Sequence, residues 1–405
     1  MHERITHARV AIAGGGPAGV MLGYLLARAG IVCTVLEKWP DFFRDFRGDT
    51  IHPSTMEILH ELGLLDEFLK LPHNEMTRMT IRANDREATI ADLSRLRART
   101  PYIAFIPQWD FLNFLSAKAR AFPAFHLMME TEAVDLLREG QTVVGLRAKD
   151  AQGEFELRAE LVVGADGRHS TVREKGSFEV EELGVPIDVL WFRIGRGDAD
   201  DKQSLGYLAA GGALVMLDRH DYWQCAFVIR KGGFDRIKLE GLDAFRTAIA
   251  ALAHIPESAV AEVDSWDKVK LLSASVDHAQ QWVKDGALIV GDAAHAMSPL
   301  GGVGINYAIG DAVAAANVLI PALRKGTLSG ETLARVQARR ERSVRRMQKI
   351  QVFVQDRLLS PLISGKRAVR MPWFFTLFNV LPMLRRLPAH IIGIGFGPEH
   401  IEITF

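Results

Sequence analysis

Residues 9–38 read RVAIAGGGPAGVMLGYLLARAGIVCTVLEK. Residues 10–13 are an apolar run of the length of a buried strand. Gly14, Gly16 and Gly19 follow with G-x-G-x-x-G spacing, and a helical pattern over 17–29 ends at Gly30. A second β-branched run, 31–36, leads to Glu37, roughly 20 residues beyond the glycines. Each part has a physical task. Gly14 permits the tight turn, Gly16 lets a pyrophosphate approach the backbone, and Gly19 lets helix and strand pack closely. The helix N-terminus offers unpaired N–H groups to phosphates. Glu37 can accept from a ribose 2′-hydroxyl and would repel a 2′-phosphate, so the reading is a site for FAD or NAD rather than NADP. Pro17, Ala18 and Lys38 flank these positions and join the same cofactor-binding set.

The rest of the composition bounds the class. With 405 residues there is room for a large core and two domains. A net charge of zero gives no global field that would favour nucleic acid. Two distant cysteines, Cys33 and Cys225, form neither a disulfide framework nor a metal cluster. They fit a reducing, cytoplasmic setting. The start, MHERITH, has no apolar signal segment, and no uninterrupted apolar run of about 18 residues predicts a spanning helix.

Further along, helices are expected over 54–62, 107–121 and 242–253, and strands over 126–137, 143–148, 154–159 and 161–164. Residues 76–96 alternate and carry many charges, which predicts exposed strands. From 188 to 230 the pattern is alternation rich in aromatic residues, read as three strands (DVLWFRIGR, YLAAGGALVML, YWQCAFVIR) of an antiparallel sheet. A strand over 266–275 follows. An apolar strand over 286–290 runs into a glycine-rich loop and a long helix over 305–323. Asp292 at that strand end can bind a ribose or ribityl hydroxyl. His295 is a candidate base in the same turn. Residues 331–359 read as one amphipathic helix with a basic face of Arg339, Arg340, Arg342, Arg345, Arg346 and Lys349, read as solvated or as a lipid or partner contact. The apolar, Pro- and Gly-broken tail from 371 is a candidate active-site cap, dimer contact or membrane-surface contact.

Three motifs now stand in order: GGGPAG with Glu37, GADGRHSTVR (164–173) and GDAAHAMSPLGGVGINYAIGDA (291–312). Together they resemble the class A FAD-dependent monooxygenases, the p-hydroxybenzoate hydroxylase family. The likeness covers about 1–60, 100–175 and 280–320. It implies an α/β fold: a Rossmann-like FAD-binding domain (1–75, 100–175, 280–330), an antiparallel-sheet substrate domain (76–99, 176–279) and a C-terminal helical region (331–405).

By that resemblance Gly14, Gly16 and Gly19 hold the FAD pyrophosphate and Glu37 the adenosine ribose. Arg47 and Gln108 contact the flavin chain, and Val134 gives backbone contacts to adenine. Asp166 and Gly167 serve both FAD and NAD(P)H, braced by Arg173. Asp292 binds the ribityl side. Residues 299–306 line the isoalloxazine: Pro299, Gly301 and Gly302 at the reacting side, and the N–H groups of Gly304, Ile305 and Asn306 at its N1–C2=O edge. No metal is implied.

The implied reaction is NAD(P)H-driven reduction of the flavin, then hydroxylation of an aromatic or other apolar, electron-rich small molecule by O2 through a flavin C4a-hydroperoxide. Such a family needs no universal acid or base. Tyr207, Tyr222, His220 and His278 are the candidates for a substrate base. Flavin halogenases share the fold but carry a W-x-W-x-I-P segment that is missing here. The sequence also leaves room for a prenyl-chain reductase or a membrane-surface quinone-pathway hydroxylase, and monomer and homodimer both remain open.

Overall fold

The structure, a computed structural model, describes residues 4–43, 49–83, 86–196, 205–209, 212–219, 221–363 and 373–405. Strand Arg4–Ala13 is the centre. It pairs in parallel with Cys33–Leu36 on one side and Gly153–Gly164 on the other. Phe125–Met128 and Ala287–Ile289 extend the sheet outward in parallel. Burial on both faces is why Val10 to Ala13 and Leu161 to Val163 are apolar without alternation. Helix Pro17–Arg28 covers one part of this sheet and packs on helix Gly304–Lys325. By composition, residues 300–325 are long and apolar enough to cross a bilayer; most of that span is buried in the protein core.

A second sheet orders Lys270–Ser273, Ile187–Gly195, Tyr222–Arg230, Gly212–Asp218, Leu205–Ala209, Arg78–Ala83 and Arg86–Asp92. Most pairs are antiparallel, as the alternation predicts. Leu205–Ala209 and Arg78–Ala83, however, run parallel. YLAAGGALVML forms two strands rather than one, with Ala209 opposite Gly212. The 76–96 strands are half-buried rather than exposed. Ile81, Ala83 and Ala88 pack with Leu208, and the charges point outward, as in the Arg82–Glu87 pair. The strand expected over 126–137 breaks at 129–131, where Glu130 takes φ +53°. The segments 154–159 and 161–164 are one continuous strand. Of the 266–275 run, Lys270–Ser273 forms the strand, and Trp266–Lys268 is a single helical turn.

Helix Gly330–Val354 continues as a π-turn, Gln355–Leu359, and a last turn, Ser360–Ile363. Its basic face is not uniformly solvated. Arg340 is buried against Asp311 and Glu399. Arg339 grips Glu399 and Glu402 of the tail, and Arg345 pairs with Glu341 and Glu181.

The tail is tied down at a second place. His52 is fully buried, and its Nδ1–H donates to Ile392 O at 2.7 Å. Burial lowers its pKa from 6.5 to about 4. The folded state therefore holds the neutral ring, while the unfolded chain gains a proton below 6.5. This contribution to stability is complete above pH 6.5 and is lost as pH falls through about 4, by about 3 kcal/mol in all. Thermal melts across that window should show this acid-side loss, and His52→Gln should flatten it.

Candidate functional site

Three strands set the site. Ala13, Gly164 and Ile289 are in register, so the loops after them leave the same edge of the sheet. This is the carboxyl edge, where open α/β sheets bind ligands. All three predicted motifs are these loops.

In the first, Gly14 has φ +100°, and a Cβ on it would lie 2.3 Å from Ala165 O. A Cβ on Gly19 would lie 1.9 Å from Gly14 O, so helix and turn touch backbone to backbone. Gly16 is different: nothing is nearer than Ala165 O at 4.0 Å, which leaves open space above the helix start. Pro17 begins that helix, no side chain caps it, and no acid lies in its first turn. Its N–H groups are left for an anion. Ala18 packs on Gly291 and so brings the first and third loops together. Glu37 is buried. Its Oε2 accepts from Gly15 N–H and its Oε1 from Trp39 N–H, both at 3.1 Å. These bonds hold the carboxylate at the edge of the first loop. Lys38 is exposed, 3.8 Å from Glu132, and Val134 lies two residues further along strand Glu132–Glu139. Gln108 opens helix Gln108–Ala119, and its N–H points at Asp49 Oδ1 at 3.4 Å. Arg47 lies outside the described residues.

The second loop is turned more on itself than its motif suggests. Asp166 accepts from Ser170 Oγ and from Val172 N–H, and burial pushes its carboxyl up. It holds the turn, in which Gly167 has φ +83°. Arg173 braces the loop through Asp277 and the carbonyl of Arg168. Sequence reasoning passed over Arg168 itself. Its Nε meets Asp292 Oδ2 at 3.2 Å and its Nη2 donates to Met297 O at 3.2 Å. Its Nη1 is buried with no hydrogen-bond partner among the described residues.

In the third loop Asp292 is about a third exposed, with Arg168 beside it. Pro299 starts a tight turn, Leu300–Gly302. Gly301 has φ +80°, and a Cβ on it would lie 3.7 Å from Val303 Cγ1. Gly302 (φ +62°) presses on Thr50, whose Oγ1 donates to Gly302 O at 2.7 Å. The first intrahelical bond that follows runs from Tyr307 N–H to Val303 O, so the N–H groups of Gly304, Ile305 and Asn306 precede the helical ladder. The Asn306 side chain turns inward. It accepts from His52 N–H and Thr55 Oγ1 and donates to Thr50 O, so only its backbone is available to a ligand.

Three glutamines hold this loop from behind. Gln348 donates to Asp277 O and Ala296 O. Gln351 accepts from Ser298 N–H and donates to Ser298 O and Leu300 O. Gln355 donates to Ser298 Oγ. All three are buried. Their spacing of three and four residues on a helix was the available signal. Gln351→Leu leaves three backbone groups unsatisfied and should cost about 2–4 kcal/mol in a denaturant melt. A lower turnover of the remaining folded enzyme should accompany that loss.

His295 is not poised as a base. It is buried, with Nε2 on Asp311 at 2.6 Å and its ring against Trp282. His278 is likewise buried, between Gln348 and Glu341. Tyr207 packs with Phe245 in the core on the far side of the second sheet. His220 lies outside the described residues. Tyr222 lies on the opposite face from Tyr207 by strand parity, beside Arg193 at 5.7 Å.

That opposite face carries Trp191, Val215, Leu217, Ala226 and Val228 around Gln224. It is joined to the third loop by a continuous chain. Gln224 Oε1 accepts from Arg219 Nε at 2.8 Å, and Arg219 pairs with buried Asp49. Asp49 precedes Thr50, which holds Gly302. Burial pushes the Asp49 carboxyl up against the pull of Arg219. This chain ties the sheet face to the turn after Pro299, and the last helical turn, Ser360–Ile363, packs on part of the same face, with Val228 and Ile363 in one cluster.

The geometry fits an elongated dinucleotide. An open backbone cradle would meet its phosphates, Glu37 and Asp292 would face its sugar hydroxyls, and the N–H groups of Gly304 to Asn306 would meet its far ring. The orphaned Nη1 of Arg168 adds a donor on the same line. No group of metal-ligating side chains occurs among the described residues.

Comparison with known proteins agrees. The sequence model of a family described as "FAD binding domain" matches residues 7–350. A 6-methylpretetramide 4-monooxygenase of Streptomyces rimosus is 31% identical over 404 residues, covering 98% of this chain and 94% of that protein. Several other curated relatives are longer, and the chain spans 56–65% of their length. Among solved structures, Pseudomonas aeruginosa PqsL in complex with 2-aminobenzoylacetate superposes with a TM-score of 0.75 at 23% identity, covering 92% of this chain and all of that one. The myxobacterial chondrochloren halogenase CndH superposes with 0.76 at 19% identity, covering 97% and 93%. At those identities both show the fold.

Proposed function

The chain belongs to the FAD-binding domain family of FAD-dependent monooxygenases, and on that basis we propose that it hydroxylates a planar, electron-rich aromatic small molecule with NAD(P)H and O2 as co-substrates. The observation that carries the substrate class is the sheet face tied to the turn after Pro299 through Gln224, Arg219, Asp49 and Thr50. Trp191, Val215, Leu217, Ala226 and Val228 make it apolar, with Gln224 as its buried polar group. Such a surface binds flat apolar rings and orients them by one or two polar contacts. The Streptomyces rimosus relative, matched along nearly its whole length, acts on 6-methylpretetramide, which supports this reading.

Bound FAD supplies the electron transfer and oxygen activation. The chain's own residues do the rest. The start of helix Pro17–Arg28 would hold the pyrophosphate. Glu37 and Asp292 would accept from sugar hydroxyls. The N–H groups of Gly304 to Asn306 would offer a positive helix end to negative charge on the ring system. Gln348, Gln351 and Gln355 keep the turn in place and occupy the polar groups that would otherwise admit water. The cytoplasm suits two free, buried thiols.

The test is anaerobic mixing of the yellow holoenzyme with NADPH, then NADH, with and without a panel of phenols. Bleaching of the flavin, faster with a phenol, is the expected result. No bleaching with either nucleotide under any addition would sink the proposal and favour an enzyme fed by a separate electron donor, as a halogenase or reductase would be.

A further inference from the structure

One surface is left unexplained by the cofactor site. Helices Trp373–Val380 and Arg386–Gly393, joined by the turn Pro382–Arg385, form a hairpin against the edge strand Arg86–Asp92. Its inner side is committed to the protein. Ala389 is buried, Gly393 lies against Leu93 and Leu96, and Asn379 Nδ2 donates to Glu87 O at 2.8 Å. Its outer side is not. Leu377, Val380, Leu381, Met383, Leu384 and Leu387 are all exposed, with Val380 at 69% and Met383 at 83%. Other exposed large apolar residues are scattered over the molecule, whereas these six fall within eleven consecutive positions. Contiguous apolar surface of this kind marks a contact site.

The charge pattern names the partner. The whole chain is balanced at net zero. Yet from residue 357 to 398 the sequence has no aspartate or glutamate, while it carries Arg357, Lys366, Arg367, Arg370, Arg385 and Arg386. Arg385 ties the hairpin together through Phe378 O and Asn379 Oδ1, and Arg386 is exposed among the leucines. An apolar ridge within a purely basic segment matches the two layers of an anionic bilayer surface: acyl chains for the leucines, headgroup phosphates for the arginines. A second copy of the chain would bring the same positive charge against itself.

We propose that the hairpin 373–393 docks the enzyme on anionic phospholipid membranes. Docking through this side sets the second sheet towards the bilayer, because the hairpin rests on that sheet's edge strand. Poorly water-soluble aromatic substrates partition into that same layer. This surface differs from the Arg345 region of helix Gly330–Val354, where Arg345 is engaged by Glu341 and Glu181.

The experiment is flotation of FAD-loaded enzyme with vesicles of phosphatidylcholine alone or with about a third phosphatidylglycerol. The expected result is flotation with the anionic vesicles only, weakened by salt. Met383→Asp and Arg386→Glu should each lower the bound fraction about tenfold or more, with flavin content and melting temperature unchanged. Wild type that floats with neither vesicle, or equally with both, overturns the proposal. So does anionic-vesicle binding that both variants retain. A solution dimer that Met383→Asp converts to monomer would give the surface to a second copy and overturn it too.

Discussion

Asp311→Ala should be among the most destabilising single changes in this chain, by about 3–5 kcal/mol, because it strips the counter-charge from a buried cluster. The Asp311 carboxylate has no solvent exposure. Its Oδ2 takes His295 Nε2 at 2.6 Å and Gly291 N–H at 2.9 Å, and its Oδ1 takes Arg340 Nε at 2.8 Å. Burial alone would raise its pKa, but His295 and Arg340 outweigh burial and hold it below the usual value of 3.8. A depressed carboxylate stabilises the fold at all pH above that value and is lost only as pH falls below it. The alanine variant leaves the guanidinium of Arg340 with Glu399, at 3.5 Å, and the carbonyl of Gly397, and leaves Gly291 N–H without its acceptor. Gly310 adds to the cost of any repair, since a Cβ there would lie 2.8 Å from Arg340 Nη2. Asp311→Asn keeps the shape and one acceptor and should fall between alanine and wild type. Urea melts of the three proteins decide the matter. Equal midpoints would mean that the cluster is neutralised elsewhere.

Residues whose task is local were legible in the sequence. Gly19 is demanded by the backbone of Gly14, five positions before it, Gly14 by its own φ of +100°, and the strand–helix–strand pattern around them is periodic. Residues whose task depends on a distant partner were not. Arg340 sits on a helix face where every neighbour in sequence suggests solvent, and its partners are Asp311 on another helix and Glu399 in the tail. Strand alternation says that Tyr207 and Leu208 face opposite ways, but it does not say which way the cofactor lies; the structure sends Tyr207 to the far core. Arg168 stood inside a recognised motif and was passed over, because only the fold brings it to Asp292, 124 positions away. The glutamines at 348, 351 and 355 read as ordinary polar residues until the turn they hold is seen. Asp49 and Arg219 have no local pattern at all: their pairing exists only once the two sheets are assembled.

Asp292→Ala should act on the cofactor rather than on the fold, and this separates it from Asp311→Ala. Asp292 is about a third exposed, and its side chain pairs with Arg168. Its removal should therefore change the melting temperature of the flavin-free protein little. Toward FAD it removes a charged acceptor at the sugar chain, a bond of roughly 1.5–3 kcal/mol, so the dissociation constant should rise about 10- to 150-fold. The variant should leave purification columns largely colourless. Arg168 sharpens the test. If Asp292 also aims the free Nη1 of Arg168 at the cofactor, then Arg168→Met will weaken FAD binding in the wild type and add little in the alanine background. Titration of the four apo-proteins with FAD, read by quenching of flavin fluorescence, yields the coupling directly. If Asp292→Ala purifies with a full equivalent of tightly held FAD, the assignment of the third loop to the cofactor's sugar chain is wrong.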